Sequence, residues 1–269
     1  MHPLLRIRPL FLASLLKRLL GVERELARTA DGLLFRVDPV SRFGEALQER
    51  GIYERELSAV FRCLIGPQDA VLDVGANEGY FTVLAASLTS GLVVAVEPQS
   101  RCAEVLQDNL ALNPTGEVQV HRVALGDRCG SGELCLSSDV NPGAASLVTS
   151  RPGWGRERVE LVTLDALAQQ CHWGRFRLIK LDCEGSEESI LRGATEFLRG
   201  RQADFISVDY HTGIVGEGAA LRIDGLLRCH GYELAQAGNG CWLYHLPGLQ
   251  SQLLPLGSVL PIGPELKAA

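Results

Sequence analysis

Hydrophobic and polar positions follow two alternating patterns along most of the chain. Short apolar runs, which are typical of buried strands, are followed by segments whose apolar residues recur at helical spacing, which is typical of helices packed on one face. These patterns predict strands over residues 33–37, 70–74, 92–96, 118–124, 133–136, 159–164, 177–181, 205–209, 232–235 and 241–244. They predict helices over residues 45–65, 80–88, 101–112, 187–198 and 219–229.

The order of these elements indicates the fold class. Strands that are separated by helices form right-handed crossovers and therefore parallel sheets. We predict an α/β fold in which a doubly wound, Rossmann-like sheet carries helices on both faces. The alternation stops over residues 126–158, a segment rich in Gly, Ser, Asp and Pro. Because this insert follows the third strand of the sheet, at the edge where loops carry function, we expect it to border the ligand site.

Composition divides the chain into three parts. Residues 1–32 form a basic, Leu-rich amphipathic segment, residues 33–246 form one α/β domain with its motif core over 70–235, and residues 247–269 form a tail that we expect to be loosely ordered. Lys17 and Arg18 interrupt the apolar run of the first segment, which is too short for the ~20 residues of a spanning helix. This segment could dock on the domain, contact a membrane surface peripherally through residues 1–20, or serve as a secretion signal without a clear cleavage site.

The overall charge and the cysteine pattern narrow the function classes. A formal net charge of −6 gives no reason to expect a nucleic acid, whose phosphates call for a basic surface, so we expect a small-molecule or glycan substrate. The eight cysteines include no C-x-x-C pair, which argues against a zinc ribbon and against a dense disulfide framework. We therefore expect a reducing, cytoplasmic location. The sequence does not indicate an oligomeric state.

A glycine turn joins the second predicted strand to the second predicted helix. The turn reads Asp73-x-Gly75-x-x-x-Gly79, and a strand–turn–helix unit of this kind places backbone N–H groups and a helix N-terminus against a ligand. A dinucleotide fingerprint requires a middle glycine, where this chain has Ala76 and Asn77. Without that glycine a pyrophosphate has poor access to the backbone, so an NAD-type oxidoreductase is only the alternative hypothesis.

Two carboxylates follow strand ends beside this turn. Asp73 ends a buried strand, where a carboxylate is costly without a partner, and a cationic sulfonium amino acid with its ammonium group would supply one. Glu97 ends the next strand, roughly 20 residues after the turn, where an acid can accept hydrogen bonds from both ribose hydroxyls. Pro98 then turns the chain away from the strand. Together these residues favour a cofactor that lacks a pyrophosphate.

Four short blocks of the sequence, taken in order, indicate a family. They are DVGANEG at 73–79, VEP at 96–98, KLDCEGSE at 180–187 and LRGA at 191–194. In this order the blocks resemble those of the FkbM-type methyltransferases. The resemblance implies an S-adenosylmethionine-dependent enzyme that O-methylates a sugar-like or polyketide-like hydroxyl, on a seven-stranded sheet whose last strand is antiparallel. The residues to which we assign cofactor binding are Asp73, Gly75, Ala76, Asn77, Gly79, Tyr80, Glu97, Pro98 and Ala124.

The chain departs from the family pattern in two places. Cys183 stands where the family usually has Val or Ile, a change that we expect only to repack a buried strand end. In Val208-Asp209-Tyr210-His211 the Glu that should precede the His by two residues is replaced by Asp209. The resemblance therefore assigns no role to Asp209.

The candidate catalytic groups are three residues that follow the ends of the fourth and fifth parallel strands. Asp182 and Glu184 are two positions apart, so an extended backbone would point both to one side, where like charges would raise one pKa toward that of a useful base. His211 follows the fifth parallel strand and could accept or orient a hydroxyl proton. In the alternative interpretation, Glu184 only favours the first turn of the next helix and His211 is a hydrogen-bonded loop residue.

Two further hypotheses concern metal and catalysis. We predict no metal ion, because no dense ligand cluster requires one, although Asp182 with Asp209 could hold a divalent cation. A binding module that keeps the fold without catalysis is the third hypothesis for function. The acids at the strand ends argue against it.

Overall fold

Strands and helices alternate through the middle of the chain in the computed structural model, which describes residues 16–17, 19–137, 145–148, 155–238 and 241–258. The strands are β1 (Glu25–Arg28), β2 (Leu34–Val37), β3 (Val71–Val74), β4 (Val93–Val96), β5 (Val118–His121), β6 (Ala124–Leu125), β7 (Gly130–Cys135), β8 (Arg156–Val162), β9 (Phe176–Leu181), β10 (Ala203–Asp209), β11 (Glu233–Gly238) and β12 (Cys241–His245). The helices are α1 (Arg42–Arg50), α2 (Arg55–Leu64), α3 (Tyr80–Leu88), α4 (Ser100–Ala111), α5 (Leu164–Gln170), α6 (Glu187–Arg192), α7 (Thr195–Arg199), α8 (Thr212–Val215) and α9 (Glu217–Cys229), and a 3-10 helix covers Gln250–Ser258.

Seven strands form the central sheet, in the order β11-β12-β10-β9-β3-β4-β5. Neighbouring strands from β10 to β5 are parallel, whereas β12 is antiparallel to both of its neighbours. The predicted doubly wound sheet of seven strands with an antiparallel last strand is therefore confirmed. The chain reverses its direction of winding between β3 and β9, and ligands of such sheets bind outside the strand ends at this point.

Apolar helix faces cover both sides of this sheet. On one side α5, α6 and α7 bury Leu167, Ile190 and Phe197 against it. On the other side α2 and α3 bury Phe61 and Leu84. Every residue of β3 and β4 is buried, because both faces of these strands are covered. This explains why both strands read as unbroken apolar runs rather than as alternating ones.

The insert region forms a second, smaller sheet, and this corrects one predicted strand. The strand predicted over 118–124 ends at His121, and Ala124–Leu125 instead pairs with β8 in a three-stranded sheet of order β6-β8-β7. The strand predicted over 159–164 ends earlier, because the Thr163 side chain accepts a hydrogen bond from the backbone N–H of Ala166 and begins α5. Helix α5 itself was not predicted.

Two predicted helices are each divided in the structure. The segment 45–65 forms α1 and α2, because Gly51 adopts a left-handed conformation at the end of α1 (φ 63°). The segment 187–198 forms α6 and α7, with a break at Gly193. A Cβ atom at Gly193 would lie 2.0 Å from the backbone oxygen of Gly126, so the insert approaches too closely for any side chain.

An N-terminal hairpin corrects the predicted boundary at residue 32. Strand β1 pairs antiparallel with β2, so residues 25–28 pack with the domain rather than with a separate segment. Leu26 is exposed while Ala27 is buried, which is why the pattern did not indicate a strand. Just before β1, Arg24 forms two hydrogen bonds of 3.0 and 2.5 Å with the buried carboxylate of Glu78, and these tie the hairpin to the glycine turn.

The two ends of the chain were predicted less well than the sheet. The loosely ordered tail is a wrong prediction for residues 250–258, because the 3-10 helix buries Leu256 in the core beside α2. Residues 259–269 lie outside the described part of the chain. So do residues 1–15 and 18 of the predicted amphipathic segment. No helix in the described ranges is long and apolar enough to cross a membrane.

Candidate active site

A cavity opens at the carboxyl ends of β3, β4, β9 and β10, where the sheet reverses its winding. One side of the cavity, called the Glu97 side, is lined by Gly75, Asn77, Glu97, Pro98, Gln99 and Cys102. The other side, called the His211 side, is lined by Tyr53, Glu54, Asp182, Glu184, Asp209 and His211. Ala124 and, from the insert, Leu134 and Leu147 also line the cavity.

Glu97 is held at the cavity wall by the backbone on both sides of it. Its Oε2 accepts a hydrogen bond of 2.8 Å from the N–H of Asn77, and its Oε1 accepts one of 2.9 Å from the N–H of Gln99. Burial raises the pKa of Glu97 to about 7, although both hydrogen bonds act to lower it. A carboxylate oxygen has more than one lone pair, so each oxygen can still accept a hydrogen bond from a ligand.

The glycine turn brings backbone close to this carboxylate. Gly75 has a φ of 77°, and a Cβ atom there would lie 1.9 Å from the backbone oxygen of Asp182, so only glycine fits. Asn77 is also left-handed, at φ 51°, and its buried Oδ1 has no hydrogen-bond partner among the described residues. The Asn77 amide oxygen is therefore available to a donor on a ligand.

Asp73, which we predicted to contact a cationic ligand, is buried and does not line the cavity. Its Oδ2 accepts a hydrogen bond of 2.7 Å from the Thr82 hydroxyl, and its Oδ1 lies 3.1 Å from Nζ of Lys180. Lys180 Nζ also donates to the backbone oxygen of Gly75 at 3.0 Å and lies 3.4 Å from Asp182. The partner that Asp73 needs thus comes from the neighbouring strand β9.

Three other residues predicted to bind the cofactor pack inside the protein. Ala76 contacts Leu106 in a small buried cluster, and a Cβ atom at Gly79 would lie 2.9 Å from the Leu106 side chain. Tyr80 is buried among aromatic rings, and its hydroxyl accepts a hydrogen bond of 3.1 Å from Ser58. None of the three lines the cavity. These residues pack on the side of the turn that faces away from the cavity.

The three predicted catalytic residues come together on the His211 side. His211 Nε2 lies 3.6 Å from Asp182 Oδ1 and 3.6 Å from Glu184 Oε2. On the opposite edge of the ring, Nδ1 is 3.1 Å from Glu187 Oε1. The backbone between the two acids is not extended as we expected, since Glu184 is left-handed at φ 49°, but both carboxylates still face the imidazole.

Glu187 orients the ring from a buried position at the start of α6. Its Oε1 accepts hydrogen bonds from the N–H groups of Cys183 at 2.8 Å and Gly185 at 3.3 Å, as well as contacting His211. Burial lowers the pKa of His211, but the hydrogen bond and charge of Glu187, together with the charges of Glu184 and Asp182, outweigh it and raise the pKa to about 9. His211 is therefore protonated at neutral pH.

The acids around His211 are poorly neutralised. Desolvation and the charge of Asp182 raise the pKa of Glu184 to about 7, against the opposing effect of His211. The same two causes raise the pKa of Asp209 to about 6. Asp182, Asp209 and His211 offer ligand atoms that all lie within 4.8 Å of one another, so this group could hold a metal ion.

Glu54 is a residue of the His211 side that the sequence did not reveal. It precedes α2 in a left-handed conformation, at φ 40° and without a side-chain cap for the helix. Glu54 is exposed as a whole residue, but desolvation of its carboxyl group and the charge of Asp182 raise its pKa to about 7. Glu54, Asn77 and Glu184 all line the cavity with left-handed backbones, which cost of order 1–3 kcal/mol each and cluster at functional sites. No motif marks Glu54 in the sequence.

The doubly wound sheet, its antiparallel last strand and the cavity at the switch point agree with the methyltransferase fold that the sequence resemblance implied. The family model described as the methyltransferase FkbM domain matches residues 73–234, more than half of the chain. The chain therefore belongs to the FkbM methyltransferase family. No match was found among curated proteins.

The chain is also similar to several solved structures. A methyltransferase-like protein from Silicibacter pomeroyi DSS-3 is 15% identical with a TM-score of 0.43, over 76% of this chain and 94% of that one. Precorrin-6y C5,15-methyltransferase from Geobacter metallireducens is 14% identical with a TM-score of 0.42, over 72% and 89%. TYW2 from M. jannaschii, in complex with AdoMet, is 15% identical with a TM-score of 0.41, over 82% and 83%. The family assignment rests on the family model alone.

Proposed function

We propose that the cavity binds S-adenosylmethionine on its Glu97 side and a small-molecule acceptor on its His211 side, and that the enzyme methylates an acceptor hydroxyl. The observation that carries this proposal is the position of Glu97. Its two oxygens are fixed by backbone N–H groups at the end of β4, and each oxygen keeps a lone pair for a ribose hydroxyl. A sugar-like or polyketide-like compound is the acceptor that the family resemblance favours.

The residues of the Glu97 side fit this cofactor. The buried Asn77 Oδ1, which has no partner in the described chain, would accept a hydrogen bond from a polar group of the cofactor. Gly75 lines the cavity and carries no side chain, so the cofactor can approach the backbone closely there. Cofactor contacts would come from Gly75, Asn77, Glu97 and Pro98, with Asp73 acting through Lys180.

The His211 side supplies the groups that handle the acceptor proton. S-Adenosylmethionine, when bound, supplies an electrophilic methyl group on a good leaving group, so the protein has mainly to align the acceptor and remove its proton. Because His211 carries a proton at neutral pH, it would donate a hydrogen bond to the acceptor oxygen. Asp182 and Glu184 are the candidates for accepting the hydroxyl proton, and both lie 3.6 Å from His211.

Titration calorimetry tests the cofactor assignment. S-Adenosylhomocysteine should bind at micromolar concentrations, and NAD should not bind comparably. Glu97→Gln should weaken S-adenosylhomocysteine binding by about 1–3 kcal/mol, because a charged acceptor of two hydroxyls is lost. Glu104→Gln, the same change at an exposed site on α4, is the matched control and should bind as the wild type does. Unchanged binding by Glu97→Gln would remove the observation on which the proposal rests.

Single-turnover methyl transfer to a confirmed acceptor tests the catalytic assignment. Asp182→Asn keeps the shape of the side chain and removes its charge, so the rate should fall about 10²–10⁴-fold if Asp182 is the general base. S-Adenosylhomocysteine affinity in the same preparation should stay within about threefold. A rate near that of the wild type would assign the proton to Glu184 instead, and Glu184→Gln would then show the loss.

A further inference from the structure

Glu78 is a buried carboxylate of the glycine turn to which the proposed function gives no role. It lines the cavity directly after Asn77, and its side chain is only 3% exposed. Among the described residues, Arg24 is the only cation within 4.0 Å of this carboxylate. Nη1 of Arg24 donates to Oε2 at 3.0 Å and Nη2 donates to Oε1 at 2.5 Å. Two parallel hydrogen bonds of this kind fix both the position and the orientation of a carboxylate.

The pair of Arg24 and Glu78 belongs to a larger network that joins the N-terminal hairpin to the turn. Nη1 of Arg24 also donates to the backbone oxygen of Arg36 in β2 at 3.1 Å. Asn109 of α4 donates from Nδ2 to the backbone oxygen of Glu78 at 2.7 Å, and its Oδ1 accepts a hydrogen bond of 2.7 Å from the N–H of Arg36. The side chain and the backbone of Glu78 are therefore both linked to the same strand of the hairpin.

This network holds a turn whose backbone conformation is costly. Gly75, Asn77 and Gly79 all have positive φ angles, of 77°, 51° and 91°. A left-handed residue other than glycine persists only where its surroundings fix it. Asn77 supplies the N–H that binds Glu97 and carries the buried Oδ1 that has no partner in the described chain. The placement of these proposed cofactor contacts thus depends on how the next residue, Glu78, is held.

Glu78 would be an uncompensated charge without Arg24. It shares its part of the wall with the buried Glu97, since the charges of both carboxylates add to burial in raising the pKa of the Cys102 thiol. A buried carboxylate that loses its partner either takes up a proton or moves towards water. Because Glu78 lines the cavity, movement towards water would carry it into the space that the cofactor needs.

We propose that Arg24 is a positioning residue for cofactor binding, which keeps Glu78 against the cavity wall and Asn77 in its left-handed conformation. This inference rests on the proposed function. Arg24 does not line the cavity, so it acts through Glu78. The N-terminal hairpin then becomes a part of the cofactor site. Because coupling between two binding events is reciprocal, the bound cofactor must in turn strengthen the docking of the hairpin.

Calorimetry with S-adenosylhomocysteine tests the positioning role. Arg24→Gln should weaken binding about tenfold or more, since coupling of this kind typically amounts to about 5–150-fold. Arg24→Lys keeps the charge without the two-pronged geometry and should show a smaller loss. Asp31→Asn is the matched control, because it breaks the ion pair of the same hairpin with Arg62 of α2 and leaves Glu78 bound. It should bind within about threefold of the wild type.

Each affinity is measured below the unfolding transition of that variant, so a loss of stability alone does not change it. Wild-type affinity in Arg24→Gln overturns the inference. An equal loss in Asp31→Asn also overturns it, because any loosening of the hairpin would then have the same effect. Binding by the wild type reports separately on the proposed function.

Hydrogen exchange tests the reciprocal effect in the unchanged protein. S-Adenosylhomocysteine should slow amide exchange in β1 and β2 more than in β11, an edge strand of the central sheet. In Arg24→Gln saturated with the same ligand, this additional protection of the hairpin should disappear. Equal slowing in β1, β2 and β11 of the wild type would reflect only the global stability that any ligand confers, and it overturns the inference.

Discussion

Lys180 connects the glycine turn to the candidate catalytic acids. It lies in β9 directly beside Asp73 of β3, in a strand whose other residues, apart from Arg177, are apolar. Burial lowers the pKa of Lys180, but the charges of Asp73, Asp182 and Glu54 outweigh it and raise the pKa above its ordinary value. Removing the partner of a buried charge of this kind costs much of the free energy of unfolding. The pair therefore fixes β3 against β9 where the cavity opens.

Removing Lys180 should destabilise the fold through Asp73. Lys180→Met leaves the Asp73 carboxylate buried with only the Thr82 hydroxyl, which should cost about 3–5 kcal/mol of unfolding free energy. Urea unfolding measures this loss. In the double variant Asp73→Asn/Lys180→Met neither charge remains, so more than half of the stability should return. If the double variant is as unstable as the single one, the ion pair is not the cause.

The raised pKa of His211 predicts how stability depends on pH. The folded protein binds this proton with a pKa of about 9, against an ordinary value of 6.5. The stabilisation is thus fully present below about pH 6.5 and is lost as the pH rises through about 9. The carboxyl groups of Glu54, Glu97 and Glu184, whose pKa values are raised to about 7, titrate below this range. The unfolding free energy of the wild type should therefore fall between about pH 7.5 and 9.5 more steeply than that of His211→Gln. Parallel profiles would contradict the raised pKa.

The positions of single residues at the cavity could be predicted where those residues follow the end of a strand. Glu97, Asp182 and His211 follow apolar strands, and the parallel ends of such strands meet at one edge. Asp73 was assigned to a ligand because its partner, Lys180, lies 107 positions away and no local pattern joins them. Glu54 was missed because its position depends on a left-handed backbone before a helix, which has no signature in the sequence.

At the scale of elements, the turn between β3 and α3 sets the shape of the cavity. Gly75→Ala would place a Cβ atom 1.9 Å from the Asp182 backbone oxygen at a positive φ, so β3 and β9 would have to separate. Thermal unfolding should show clear destabilisation, and S-adenosylhomocysteine affinity should fall. Gly225→Ala is the matched control, because it lies exposed inside α9 with open space around its Cβ and should stabilise the fold by about 0.5–1 kcal/mol. Wild-type affinity in Gly75→Ala would contradict this account of the turn.

Elements were predictable where burial was uniform or strongly periodic. Strands β3 and β4 and helix α3 follow the sequence pattern closely, because both faces of these strands are covered. The breaks within the predicted helices could not be predicted from the sequence, since the break at Gly193 depends on the approach of the distant Gly126. The 3-10 helix at Gln250–Ser258 was missed for the same reason, because its burial depends on contacts with α2.

For the whole molecule, the topology of the central sheet follows from chain order and handedness. Alternating strands and helices leave few arrangements once crossovers are right-handed, so the parallel sheet could be predicted. The antiparallel last strand came from the family resemblance and not from the pattern. The N-terminal hairpin could not be predicted, because Arg24 and Glu78, which tie it to the glycine turn, are 54 positions apart.

The most direct test of the central claim is a crystal structure of the complex with S-adenosylhomocysteine. The account predicts that the ribose hydroxyls hydrogen-bond to the Glu97 carboxylate and that the sulfur faces Asp182 and His211 across the cavity. Glu54 and Asp209 should remain open to an acceptor. A ligand bound elsewhere, or one in this cavity with its ribose away from Glu97, would contradict the account.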